Sequence, residues 1–230
     1  MIKIFQIYYD NKQKQKLTKG FIPYLNQNKS IYVENQCISD IRHSDLIEDT
    51  DYIGTFSHSM NKKVFKITFE GLCHSITSKP DGDIFSPAMK NWRWKPMRTP
   101  QYIYIPNQLN MKDLAIPFLN DMADLNIIKK SSIDLWTKPY PLIFCNFWVA
   151  KKEVFIDYVD SFLSKVFELI ESYDEDNWIF TPENGYPKPP KLWQDSTGFL
   201  RYPIIVFILE RLINIYLQDR NLNHQATFYE

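Results

Sequence analysis

Between Lys151 and Tyr173, apolar residues recur at three- and four-residue spacing: Val154, Phe155, Tyr158, Val159, Phe162, Leu163, Val166, Phe167 and Ile170, with charged residues filling the other side. A helix carrying so wide an apolar stripe must bury it against a second layer. Short apolar runs elsewhere supply that layer. Ile2, Ile4, Phe5, Ile7 and Tyr8 predict a first strand ending at Asp10, and Tyr52-Ile53-Gly54-Thr55-Phe56-Ser57 predicts a second. Leu142 to Val149 has the length and residue types of a buried strand. Strands interleaved with helical patterns over 230 residues predict one α/β domain with an elaborated end.

The remaining segments read as follows. Ile31 to Val33 is expected as a short strand, and residues 64 to 78 fit a strand or a helix equally. Ile84-Phe85 is a short strand or strand end. Residues 109 to 129 predict a helix broken near Pro117, and Pro203 fits the first turn of a last helix reaching about Gln218. Residues 178 to 199 are rich in proline and glycine and predict a long loop, the kind of segment that serves as a lid.

Composition narrows the function classes. With 16 Phe, 14 Tyr and 6 Trp, pockets should be lined by flat faces, which suit sugars and bases as well as ordinary packing. Lys plus Arg and Asp plus Glu are equal at 27 each, so no whole-molecule field draws the chain to nucleic acid. Cys37, Cys73 and Cys145 are odd in number and lack paired spacing, which fits a reducing cytoplasm better than a disulfide framework or a zinc site. No basic segment leads into an apolar core near residue 1, and the run Ile204 to Leu209 is far short of the ~20 residues that span a bilayer. The expectation is a cytoplasmic protein with no transmembrane segment.

Three local patterns carry chemistry. Lys79-Pro80-Asp81-Gly82-Asp83-Ile84-Phe85 sets two carboxylates on either side of a glycine, so both can reach one divalent cation. Pro-Asp-Gly is also a strong turn signal, and both readings stand at this point. Trp92, Arg93, Trp94, Lys95 and Arg98 interleave aromatics with cations, a pattern able to hold nucleic acid. In the last helix, Glu210 and Arg211 fall among Val206, Phe207, Ile208, Ile213 and Ile215, so each charge must be paired or face a polar cavity.

Taken in order, Ile7-Tyr8-Tyr9-Asp10, Gly20-Phe21-Ile22-Pro23, Tyr52 to Ser57, Asp81-Gly82-Asp83-Ile84, Cys145 to Lys151 and Ile208 to Leu212 resemble bacterial glycosyltransferase-like proteins of capsular and surface-polysaccharide gene clusters. The resemblance covers residues 4 to about 217. It implies a GT-A-type fold: a single domain over 1–230 with a mixed, mostly parallel central sheet flanked by helices and long C-terminal helices. In it, 1–90 would form the nucleotide-binding half and 91–230 the acceptor-side half.

The same resemblance implies metal-dependent transfer of a sugar from a nucleotide-sugar donor to a glycan or lipid-linked acceptor. Mn²⁺ or Mg²⁺ would sit on Asp81 and Asp83 and stabilise the leaving diphosphate, with Asp83 as the direct ligand. Gln6, Tyr8 and Asp10 would lie near base and ribose. Ser57, His58 and Lys63 would point to the phosphates, and Asn146 with Trp148 would face a sugar. Arg211 is a further candidate ligand contact. Asp195 and Glu210 join Asp83 as the carboxylates expected to act in catalysis. The motifs place no acceptor base, so inversion or retention does not follow from them. Two other classes stay in view: transfer to modified bases in DNA, suggested by the Trp92–Arg98 patch, and a binding protein with this fold that has lost catalysis.

Overall fold

The computed structural model describes residues 1–27, 29–58, 60, 67–87, 98–99, 111–138, 140–141, 143, 145–182 and 188–227. Its strands are β1 (Ile2–Tyr8), β2 (Ile22–Leu25), β3 (Tyr52–Ser57), β4 (Ile84–Pro87), β5 (Arg98–Thr99), β6 (Tyr140–Pro141), β7 (Trp148–Lys151) and β8 (His224–Thr227). Six of them form the central sheet in the order β2-β1-β3-β7-β4-β8, and β5 with β6 makes a separate antiparallel pair. β1 runs parallel to both β2 and β3, and β4 runs parallel to β8. β7 is antiparallel to β3 and to β4. Five strands of the sheet therefore point one way. Their carboxyl ends, Tyr8, Leu25, Ser57, Pro87 and Thr227, lie along one edge together with the start of β7.

Side-chain alternation divides the core into two layers. Ile53, Trp148 and Ala150 pack with residues of helices Glu34–Arg42, Met111–Asp124 and Ile204–Asp219, and of the helical run over 152–171. Phe56, Phe147 and Val149 face the other way, onto Phe21 and helix Phe69–Thr77. Gly54 brings β3 against β7: a Cβ there would sit 2.6 Å from Val149 Cγ2 and 3.0 Å from the Trp148 carbonyl.

The 152–171 run contains a π-helical stretch at Tyr158–Leu163, within one apolar stripe. In Ile204–Asp219 all but Glu210 and Gln218 are buried, as expected of a helix apolar all round.

Several expectations shift. Residues 31–33 form a turn rather than a strand, with Val33 at φ 49°. The ambiguous 64–78 segment resolves into helix Phe69–Thr77, opened by Thr68, whose hydroxyl accepts the Gly71 N–H at 3.0 Å. β7 starts at Trp148 instead of near Leu142, because Cys145 and Asn146 adopt left-handed backbone, φ 53° and 56°, which no extended strand accommodates. The proline-rich 178–199 segment holds a 3₁₀ turn, Trp178–Phe180, and a helix, Lys191–Thr197. The helix Met111–Asp124 continues through Pro117. Pro203 takes the N-cap of the last helix, one residue before its first turn.

Candidate active site at the carboxyl edge of the sheet

The chain leaves β1 through a connection that places Phe21 on one face of the sheet, and leaves β2 through helix Glu34–Arg42, whose Ile38 and Ile41 lie on the other. β2 and β3 flank β1 on opposite sides. The topology thus switches direction between β1 and β3, and a crevice opens outside the carboxyl ends of such strands. Tyr9 and His58 stand at its two lips, their rings 5.6 Å apart and edge to face at 84°. The His58 N–H donates to the Ile7 carbonyl at 2.8 Å, which fixes its exit from β3.

Tyr9 is held at both ends. Its N–H donates to Gln13 Oε1 at 2.8 Å, and its hydroxyl donates to Glu34 Oε1 at 3.2 Å. Glu34 is buried and opens its helix directly after the left-handed Val33. Burial, then the charges of Glu34, Cys37 and Tyr202, push the Tyr9 phenol well above its ordinary value. Burial, with Glu34 and Glu210 nearby, pushes Tyr202 up to about 12. Two protonated phenols and two carboxylates therefore share one electrostatic neighbourhood beyond the sheet's edge.

Asn146 lies at the same edge of the sheet, where the chain turns into β7. Thr55 Oγ1 donates to its carbonyl at 3.3 Å, and its side chain is 1% exposed. Among the described residues, neither the Oδ1 nor the Nδ2 of that side chain has a hydrogen-bond partner. A buried polar group left in this state costs about 1–3 kcal/mol. Asn tolerates left-handed backbone, and its amide offers a donor and an acceptor side by side, as a sugar hydroxyl requires.

Other expected residues make contacts within the scaffold. Gln6 Oε1 accepts the Thr18 N–H at 2.7 Å and ties the loop after β1 to the sheet. Asp10 caps the short helix Asn11–Lys14, its Oδ1 accepting the Gln13 N–H at 2.8 Å. Tyr8 is buried with the Lys14 ammonium 5.7 Å from its ring centre. Ser57 is buried at the end of β3. Trp148 is a core side chain, with Phe155 and Tyr158 rings at 5.7 and 5.4 Å, so it does not face a sugar from the edge. Lys63 and Trp92 to Lys95 lie outside the described residues, as does the Arg98 side chain.

The charges of the last helix are paired locally. Arg211 Nη1 lies 3.5 Å from Glu210 Oε2 and donates to the Phe207 carbonyl at 2.8 Å. One turn on, the Asn214 amide brackets Ile143, accepting its N–H at 2.8 Å and donating to its carbonyl at 3.1 Å. That clamp holds the helix beside the segment that enters β7. Asp195 is exposed and pairs with Lys191, four residues before it.

The Asp81–Asp83 pair is placed differently from the expectation. Both residues precede β4, so they lie at the amino edge of the sheet, opposite Tyr9, His58 and Asn146. Asp83 Oδ1 receives the Lys151 ammonium at 2.9 Å, and Oδ2 accepts the Asn223 N–H at 3.0 Å. Partial burial raises this carboxyl, but the Asn223 N–H and Lys151 outweigh it and hold it below its usual range. The Asp81 carbonyl accepts from Asn223 Nδ2 at 3.0 Å. With both Asp83 oxygens engaged by protein donors, the pair does not fit a divalent cation. It is the turn reading, a latch that docks the start of β8 against β4. No group of three or more His, Cys, Asp or Glu among the described residues has metal-site geometry.

Glu34 and Tyr202 are not among the residues the sequence points to. Tyr9 falls inside the Ile7–Asp10 motif, and strand alternation could have separated it from Tyr8. Glu34 and Tyr202 carry no local signal, because only the tertiary fold brings them together.

No protein-family model matches this chain, and no curated protein matches it in sequence. Among solved structures it is similar to the apo structure of WbbM, a bifunctional glycosyltransferase, with TM-score 0.59 and 17% identity over 98% of this chain. The match takes in 44% of the WbbM chain, so this chain spans less than half of that protein's length. What the two share is the fold, a mostly parallel six-stranded sheet layered between helices.

Proposed function

We propose that this protein is a glycosyltransferase that receives a nucleotide-sugar donor over the carboxyl edge of its sheet and passes the sugar to a glycan or lipid-linked acceptor. The observation that carries the reading is Asn146: a fully buried amide with both polar atoms unpartnered among the described residues, at the carboxyl edge of a fold shared with a glycosyltransferase. A ligand hydroxyl in that position would satisfy the amide, turning its desolvation cost into binding specificity. Tyr9 and His58 offer flat faces for the donor's base. Glu34 holds the Tyr9 hydroxyl, so the ring stands in one orientation before the ligand arrives.

A divalent cation on the donor's diphosphate would supply Lewis-acid help to the leaving group. Asp81 and Asp83 do not fit it, since both Asp83 oxygens are engaged by Lys151 and Asn223. A thermal-shift screen of UDP-, GDP-, CMP- and dTDP-sugars, each with and without Mn²⁺, tests the reading, since a ligand bound by the folded state raises the melting temperature. At least one sugar nucleotide should stabilise the protein. Absence of a shift across the whole panel would refute the reading.

A further inference from the structure

A half-open cavity of about 490 Å³ lies on the helical flank of the sheet, between the turn at Ile31-Tyr32, the end of the 152–171 helical run and the 178–199 segment. Four aromatic side chains line it: Tyr32, Tyr173, Phe180 and Phe199. Tyr32 is held rigid, stacked on Phe167 at 3.8 Å and 6° with its hydroxyl donated to Glu171 Oε1 at 3.1 Å. Tyr173 is fixed by a hydrogen bond from its hydroxyl to Asp121.

The polar part of the wall is acidic, with Glu171 and Glu175 beside Thr197 and the left-handed Gly198. A Cβ at Gly198 would meet no atom within 4 Å, so the backbone is open to close approach there. Preformed aromatic faces with carboxylates able to accept from hydroxyls form a surface suited to a neutral sugar ring. The same carboxylates repel a diphosphate, which separates this cavity from any donor site.

A short chain of side chains leads from the cavity toward the switch crevice. Phe199 meets Trp193 at 6.4 Å, Trp193 meets Tyr202 at 4.9 Å, and Tyr202 shares the Glu34 field with Tyr9. Trp193 is itself pinned by donating its indole N–H to the Ser30 carbonyl at 2.9 Å. We infer that this cavity binds an uncharged sugar unit of the acceptor glycan, a role that rests on the glycosyltransferase reading for its purpose but not for its chemistry.

Saturation-transfer NMR with free hexoses, N-acetylhexosamines and their methyl glycosides tests it directly, with UDP and spermidine as competitors. The wild-type chain should transfer saturation to at least one neutral sugar. Phe199→Ala and the exposed-site change Glu175→Arg should each weaken that signal roughly tenfold, and UDP should leave it in place. Glu175→Arg guards against misfolding as the cause, since the side chain it replaces is exposed. Absence of sugar binding, binding unchanged in both variants, or displacement by UDP or spermidine would each overturn the inference. If the sugar binds here while no nucleotide binds anywhere, the donor reading fails and this one stands.

Discussion

Asn146 combines two costs in one residue, a left-handed backbone and a buried amide with no partner among the described residues. Residues that carry such costs are the ones a ligand can relieve, and replacing them trades function for stability. Asn146→Gly keeps a residue at ease at positive φ and removes the unpartnered amide. The ligand-free variant should therefore be as stable as the wild type or more stable by about 1 kcal/mol in urea unfolding. A loss of more than that would show that the amide is satisfied in the free protein. Asp83 is the opposite kind of residue, with both carboxylate oxygens employed in the fold. Asp83→Ala should lower stability by about 1–2 kcal/mol, read from the same unfolding curves.

At the scale of elements, the sheet's last strand is the one most exposed to pH. His224, in β8, sits with its Nε2 2.8 Å from Ser86 Oγ, and burial pushes its pKa down from 6.5 to about 4. The unfolded chain takes up that proton first, so stability is complete above about 6.5 and falls as pH drops toward 4, by up to about 3 kcal/mol. Below the ordinary carboxylate value of 3.8, protonation of Asp83 releases its latch and adds to the loss. Urea midpoints measured from pH 7 to 4 should show the decline, and His224→Gln should flatten it. A second element-level test uses the β3–β7 contact: Gly54→Ala would drive a methyl into Val149 and cost roughly 1–3 kcal/mol in thermal unfolding.

β1, β3 and the long amphipathic helix are legible in sequence because their periodicity is intact over whole elements. β8, His224–Thr227, holds only Ala226 as an apolar residue, and its place comes from pairing with β4 rather than from its own pattern. The start of β7 is set by the Cys145–Asn146 backbone, which the apolar run preceding it conceals.

For the whole molecule, what decides function is which edge of the sheet each motif reaches. Local sequence shows that Asp81 and Asp83 flank a glycine turn. It cannot show that they come before a strand whose far end lies on the edge that holds the crevice, because strand order and direction depend on pairings between distant segments. The same topology brings Tyr9, Glu34 and His58, from three separate stretches of chain, to one switch point, and sets Asn146 against β3 at the same edge of the sheet. The mixed, mostly parallel sheet that the ordered motifs imply is present, and the likeness to WbbM is one of fold. The placement of the carboxylate pair is where the structure departs from the motif.

The central claim, that the donor is held by the carboxyl edge through Asn146 and not by the Asp81–Asp83 turn, is open to one titration. The sugar nucleotide that most stabilises the protein is titrated calorimetrically, in the presence of Mn²⁺, into the wild type, Asn146→Gly and Asp83→Ala. Asp83→Ala should bind within about twofold of the wild type, while Asn146→Gly should bind at least about tenfold more weakly, near 1.4 kcal/mol. Binding lost in Asp83→Ala and kept in Asn146→Gly would contradict that claim.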